Sequence, residues 1–371
     1  MRARRPLLSR ALPGVLLLLA IGGCAERDRA NPFDPANGTT QGRPAGFVAL
    51  ARDGRVELSW QPQTATGLTG YQVWRRTANE TTYHAISAVL RPTIGHYSDL
   101  GLLNGLDHFY RLYYLFDTGP GTGPAEDVAT PGPQIPWVAD GTDQALLEIT
   151  ADGRHVAVIH GGFLGPVAVA ADSSTQRVWC SDPDASQVRV LDIPSGVTVT
   201  IPVSGTPGAL AAVPGDSSAW VCAEDAGQVL HLGPDGRVIQ ALQGLALPIG
   251  VAVSGFDGSL WVCERDANRV LHRDVDLGDL GPVTVPEPSR VAINPSTGDV
   301  WVSSFTAAMV WKLSSTGATL AAVGGFAGPV GLAVDPVRGN VWVADPAADR
   351  VRVLDPGGGI RFTVGGLPGA R

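Results

Sequence analysis

Lysine is almost missing from this chain of 371 residues: of 27 basic side chains, all are arginine except Lys312. Acidic residues number 35, the formal net charge is −8, and no basic stripe forms, so a phosphate backbone would find no counter-charge and nucleic acid is excluded as a partner. Cysteine is scarce, four in all, and no two stand in the Cys-x-x-Cys spacing of a zinc site. A His-Glu-x-x-His helix, a glycine-rich phosphate loop and a nucleophile elbow are all absent. Amphipathic stretches of helical period are absent too, and the one long apolar run, residues 11–20, is too short to cross a bilayer as a permanent helix.

What the chain does have is tryptophan at near-equal intervals. Trp137, Trp179, Trp220, Trp261, Trp301 and Trp342 are separated by 42, 41, 41, 40 and 41 residues. Thirteen residues before five of them stands a proline, Pro166, Pro207, Pro248, Pro288 or Pro329, opening a short apolar run. Nine residues after each comes Leu146, Val188, Val229, Val270, Val310 or Val351, which begins another alternating stretch before a glycine-centred turn. The apolar spacing is two residues, so each unit of about 41 residues holds four short strands, the period of a propeller blade.

Segments such as Pro329-Val330-Gly331-Leu332-Ala333-Val334-Asp335, followed by Val341-Trp342-Val343-Ala344-Asp345, resemble the signature of NHL-repeat propellers. That resemblance covers residues 135 to 371 and implies a six-bladed ring over residues 132–371. It implies no single function, because propellers of this kind serve as sensors, scaffolds, RNA binders and enzymes. The last residues, Leu367-Pro368-Gly369-Ala370-Arg371, copy the opening of an inner strand, and blade one lacks one of its own. The expectation is that this tail docks there and closes the ring; a strand within residues 124–130, shared with the preceding domain, is the alternative.

At the other end, Arg2, Arg4, Arg5 and Arg10 precede the apolar run, and Ile21-Gly22-Gly23-Cys24 follows it. This is a secretory signal, residues 1–23, ending in a lipobox, with Cys24 as the lipidation site. Alanine rather than aspartate at position 25 favours the outer membrane of a bacterial envelope. Removing the signal deletes four arginines and leaves 23 basic against 35 acidic side chains, a net of about −12. Residues 24–43 are polar and read as a lipidated cysteine with a flexible tether. Their Asn31-Pro32-Phe33-Asp34-Pro35 run is similar to one found just after the anchor in other bacterial lipoproteins.

Longer alternating strands, such as Val56-Glu57-Leu58-Ser59-Trp60 and Phe109-Tyr110-Arg111-Leu112-Tyr113-Tyr114-Leu115, fill residues 44–131. This segment resembles a fibronectin type III sandwich, with Trp60 as the core tryptophan and Gly70-Tyr71 opening the third strand. The family's corner tyrosine falls on His108, with Tyr110 two positions later, which leaves the corner hydrogen bond open. No Arg-Gly-Asp triplet supports integrin-style recognition, and the domain reads as a rigid spacer. The fold class is thus all-β, a sandwich followed by a six-bladed propeller.

Candidate chemistry is sparse. Cys180, Cys222 and Cys263 lie within two residues of a repeat tryptophan and are expected as buried free thiols, since facing sheets about 10 Å apart are too distant for a disulfide. His231 and His272 share one repeat position that reads as solvent-facing or rim, without a carboxylate partner to make a metal pair. Asp140, Asp182, Glu264 and Asp345 stand three residues after a tryptophan, and Glu224 one place later, all where the second strand meets its loop. They form a candidate acidic rim for a ligand, although carboxylates at strand ends also close turns.

The inner strands open Pro-Val-Ala, Pro-Gly-Ala, Pro-Ile-Gly, Pro-Ser-Arg and Pro-Val-Gly, and carry no carboxylate and one charge, Arg290. No catalytic residue, metal or cofactor is expected on this pattern. A non-catalytic binding or scaffold lipoprotein for a protein, peptide or glycan ligand is favoured over a propeller hydrolase or lyase of the gluconolactonase or strictosidine-synthase kind. Replacing Cys24→Ser is expected to block maturation and membrane attachment, read by fractionation and gel mobility; a mature, membrane-bound product of unchanged mobility would remove the anchor.

Overall fold

The computed structural model describes residues 31–121 and 123–366. Two compact units divide them, one of residues 31–49 and 54–131, the other of residues 132–366 with 50–53.

The first unit is a two-layer antiparallel sandwich. Val48–Arg52, Arg55–Ser59 and His96–Leu100 make one sheet. In the other, Leu68–Thr77 lies between His84–Ala85 and His108–Phe116, and Gly119–Pro120 and Ala125–Ala129 both pair with His108–Phe116. Alternation sorts the side chains by face: Tyr110, Leu112 and Tyr114 are buried, while Phe109, Arg111 and Tyr113 between them are half-exposed. Trp60 is buried against Tyr71, ring centroids 5.4 Å apart. The Tyr110 hydroxyl donates to a side chain, Asp99 Oδ2 at 2.8 Å, and not to the backbone as in a tyrosine corner. Arg75 Nη1 donates to both oxygens of the same carboxylate at 2.9 and 2.7 Å, so a buried charge is met by a fork of donors.

From Asn31 onward the expected flexible tether is instead folded onto this sandwich, in a run of side-chain-capped turns. Asn31 Oδ1 accepts from the Phe33 amide, Asp34 Oδ1 from the Ala36 amide, and the Thr40 hydroxyl donates to the Pro32 carbonyl. Phe33 then sits edge-on to Tyr114 and Phe116, with centroids 4.7 and 5.2 Å apart. One aromatic side chain supplies the burial that an otherwise polar segment lacks.

The second unit repeats one pattern. Blade two holds Ala168–Asp172, Arg177–Asp182, Gln187–Asp192 and Thr198–Pro202 as an antiparallel meander in that order, and blades three to six copy it. Their inner strands are Pro207–Ala212, Pro248–Val253, Pro288–Ile293 and Leu332–Val334. In blades two to five the tryptophan stands on the second strand and is buried against the next blade. Trp179 packs with Leu210 and Val221, Trp220 with Val251 and Val262, Trp261 with Val291 and Val302, and Trp301 with Val341 and Val343. Removing such a ring leaves a cavity costing about 3 to 5 kcal/mol.

Cys180, Cys222 and Cys263 are buried free thiols in these same interfaces. Burial pushes the Cys180 and Cys263 thiols up to about 12, which makes them inert packing groups.

The ends differ from the middle. Blade one has three strands, Trp137–Asp140, Ala145–Ile149 and Val156–His160, with Trp137–Asp140 as its inner edge. Ala125–Ala129 is paired in the sandwich sheet. Trp342, at the other end, is 43% exposed where Trp179, Trp220, Trp261 and Trp301 are between 0% and 5%. The tail expected to close the ring, residues 367–371, lies outside the described residues.

Each unit buries a histidine, His108 in one and His272 in the other, and His231 is half-buried. His108 lies in the sandwich; His231 stacks on Trp220 at 4.5 Å, and His272 on Trp261 at 3.8 Å. Burial is the main cause that lowers each of these imidazoles from its ordinary value of 6.5. A depressed folded value means that the unfolded chain binds more protons just below pH 6.5, so stability is full above that pH and is lost as pH falls through it. Thermal melts of the full chain are expected to drop by several degrees between about pH 7.5 and about pH 5, before carboxylates titrate. A flat profile over that window would contradict the burial of neutral imidazoles.

Candidate functional site

At one end of the propeller the inner strands begin and the second strands finish, so the residues after each tryptophan share a face with the repeat prolines. The acidic rim expected there separates into two kinds of residue. Asp182, Glu264 and Asp345 are 0% exposed and do not face a ligand. Asp182 accepts the amides of Leu164 and Gly165, Glu264 that of Ala246, and Asp345 those of Ala327 and Gly328. Those amides lie just ahead of Pro166, Pro248 and Pro329, so each carboxylate pins the chain where it enters an inner strand. Gln187, Arg269 and Arg350 add a side-chain donor to the three carboxylates in turn. The rim expectation is corrected at these three positions: lone pairs committed to backbone amides leave nothing for a ligand. Asp140 is half-buried and closes its own turn through the amides of Thr142 and Asp143.

Glu224 is the exception, and a one-residue offset explains it. Ala223 occupies the pinning position, and the neighbouring Asp225 accepts the amide of Thr206 just ahead of Pro207. The Glu224 carboxylate is released from that duty, lies half-buried, and rests on the inner strand of its own blade. A Cβ added to Gly208 would fall 1.9 Å from Glu224 Oε1, so the glycine leaves the space that the carboxylate occupies. Burial raises the Glu224 carboxyl above its usual range, against the pull of Arg290 and Arg265 and with a push from Asp225.

Arg290 comes from the inner strand of blade five. The third residue of each inner-strand opening is Ala168, Ala209, Gly250, Arg290 or Gly331, one long cation among small groups. Its Nη1 donates to the Ile249 carbonyl at 2.5 Å and to the Ser289 carbonyl at 3.0 Å, which carries the guanidinium back over blade four. Gly250 makes that approach possible: a Cβ there would meet the Ser289 carbonyl oxygen at 2.9 Å and Arg290 Cα at 3.2 Å. Among the described residues no carboxylate is within ion-pair distance of Arg290, yet its charge is felt at Glu224, Cys222 and Cys263. Exposed Leu164, Val167 and Phe305 stand on the same face. Sequence reading singled out Arg290 as the one charge on the inner strands and Glu224 as displaced by one place, but did not join them.

His272 leaves the solvent-facing reading behind, buried and flattened on Trp261, whereas His231 stacks on Trp220 and is half-buried at the wall of a cavity. Among the described residues no group of three or more His, Cys, Asp or Glu side chains could hold a metal ion. On the opposite face a cavity of ≈ 240 Å3 is lined by Asp216, Trp220, His231 and Gln240. Ser218 Oγ there lies 2.6 Å from His231 Nε2 and donates to Asp216 Oδ1 at 2.5 Å. The hydroxyl proton points to the carboxylate and the imidazole has no acid behind it, the reverse of the order that activates a serine.

No protein-family model matches the chain, and no curated protein matches it. Solved structures do. A functionally unknown protein from Desulfotomaculum acetoxidans is 15% identical over 70% of this chain and 93% of its own, with a TM-score of 0.52. Hydrazine synthase from Kuenenia stuttgartiensis is 15% identical over 59% of this chain and 72% of its own, with a TM-score of 0.52. A chain of the nidogen/laminin complex is 13% identical over 64% of this chain and 95% of its own, with a TM-score of 0.50. At such identity the likeness is one of fold, a β-propeller.

The two kinds of acid respond differently to substitution. Asp345→Ala strands two backbone donors and Arg350, and is expected to cost about 2 to 4 kcal/mol by denaturant unfolding. Glu224→Gln is expected within about 0.5 kcal/mol of the parent. Equal effects would erase the distinction between pinning and free carboxylates.

Proposed function

We propose that this chain is a lipid-anchored bacterial envelope protein, of the outer membrane, that acts as a non-catalytic binding module. Its ligand, a protein, peptide or glycan, meets the propeller mouth around Glu224 and Arg290. The lipobox at Cys24 supports the anchor. The three-stranded and five-stranded antiparallel sheets of the sandwich, its buried Trp60 and the Tyr110 anchorage support a fibronectin type III spacer.

The observation that carries the binding reading is the pair of half-buried, oppositely charged side chains at the mouth whose hydrogen-bonding capacity the fold does not exhaust. Every blade with a pinning acid consumes it internally, whereas Glu224 and Arg290 keep free valences beside the exposed apolar groups Val167 and Phe305. Convergent polar groups amid apolar surface are what a ligand site requires. The acidic balance and the lack of a basic stripe oppose a nucleic acid ligand.

A thermal-shift scan of glycans, peptides and peptidoglycan fragments tests this. A specific ligand is expected to raise the melting temperature of the full chain by mass action and to lose that effect in Arg290→Met. A transition metal that alone gave a large shift, or a ligand indifferent to Arg290→Met, would overturn the assignment and favour a metal-dependent propeller enzyme or a different face.

A further inference from the structure

The Glu224–Arg290 pair is more specific than a patch of mixed charge. We propose that the propeller mouth binds an α-amino acid head group, with its carboxylate on Arg290 and its ammonium on Glu224. This deepens the binding function above and rests on it.

A guanidinium carries five N–H donors in a fixed plane. In Arg290, Nη1 is spent on the carbonyls of Ile249 and Ser289, on neighbouring inner strands. Those two bonds fix the plane of the group and leave Nε and Nη2, the two parallel donors of one edge, without a bonded partner among the described residues. Such an edge matches the two oxygens of a carboxylate. Because the side chain is already anchored, little rotamer freedom remains to be lost on binding.

Glu224 supplies the opposite pole. Its carboxylate lies over Gly208, in the space that a Cβ there would take, and makes no hydrogen bond among the described residues. The two charges are close enough to influence each other, yet no ion pair joins them. Partial burial makes each charge costly to leave unpaired. A ligand that inserted an anion beside one and a cation beside the other would satisfy both.

Surrounding charge selects the ligand further. Asp184, Asp225 and Asp266 are exposed on the same face, in a chain of net charge −8. A phosphate dianion meets that field unfavourably, and a simple cation meets Arg290. A zwitterion of no net charge, with its two poles only a few ångströms apart, escapes both penalties. The head group of a free amino acid fits that description. So does the free α end of an amino acid attached to a larger molecule through its side chain.

Calorimetric titration of the full chain with each free α-amino acid tests the proposal. For the tightest one, its carboxamide and its N-acetyl derivative are titrated next, together with a conjugate linked through the side chain. Blocking either pole is expected to weaken binding by at least about tenfold. Arg290→Met should abolish binding, Arg290→Lys should restore part of it, and Glu224→Gln should remove the preference for the free amine over the N-acetyl form. A conjugate that binds as well as the free acid assigns the ligand to a larger molecule; a weaker one assigns it to the free amino acid.

The proposal is overturned if no free α-amino acid binds, if the blocked forms bind equally, or if Glu224→Gln, an isosteric change that keeps the fold, leaves the preference intact. Should a glycan or peptide bind and depend on Arg290 while no amino acid does, the head-group assignment falls and the binding function stands. If nothing binds, both fall.

Discussion

The packing of one tryptophan per blade on the face of the next blade is the constraint from which the second unit is built. A four-stranded sheet has two faces to cover, and a ring covers both by turning each sheet into its neighbour's wall. Trp179 does this over Leu210 and Val221, and the same contact recurs three more times. Everything at the mouth follows from that stacking. It fixes the spacing of the inner strands, and so the distance over which Arg290 must reach to touch the Ile249 carbonyl. Where the stack ends, at Trp342, the ring is left uncovered by the described residues, and the exposed Phe362 lies edge-on to it at 5.8 Å.

Fold class was legible because it is written redundantly. Six tryptophans, five prolines and a two-residue apolar period all report the same blade, so no single ambiguous residue matters. The sandwich was legible for the same reason, through the alternation of Tyr110, Leu112 and Tyr114 with Phe109, Arg111 and Tyr113. The folding of residues 31–43 onto it was not. Composition measures how much apolar surface a segment owns, and that segment owns little; it does not measure the surface another domain offers to a single residue such as Phe33.

At the mouth, type and spacing identified the carboxylates but not their employment. Asp182, Glu264 and Asp345 obey the repeat, and obeying it is what consigns them to structure: a residue that recurs from blade to blade serves the blade. Glu224 and Arg290 break the repeat, one by position and one by size. In repeat folds, departure from the period is therefore the better pointer to a site than membership in it, since stability is drawn from the shared positions and function from the deviant ones. The histidines teach the complementary lesson, because a position that varies between blades can still be interior, as at His272, when a tryptophan ring lies across the strand from it.

The seating of Phe33 has a mechanical meaning. With a lipid on Cys24, as proposed, only residues 25–30 separate the anchor from the folded chain that begins at Asn31, and six residues reach no further than about 20 Å even when drawn straight. The sandwich is then moored close to the headgroups instead of drifting on a line three times as long. Its swing would be correspondingly narrow. Loosening that aromatic clasp would lengthen the mooring without changing a residue of the binding surface.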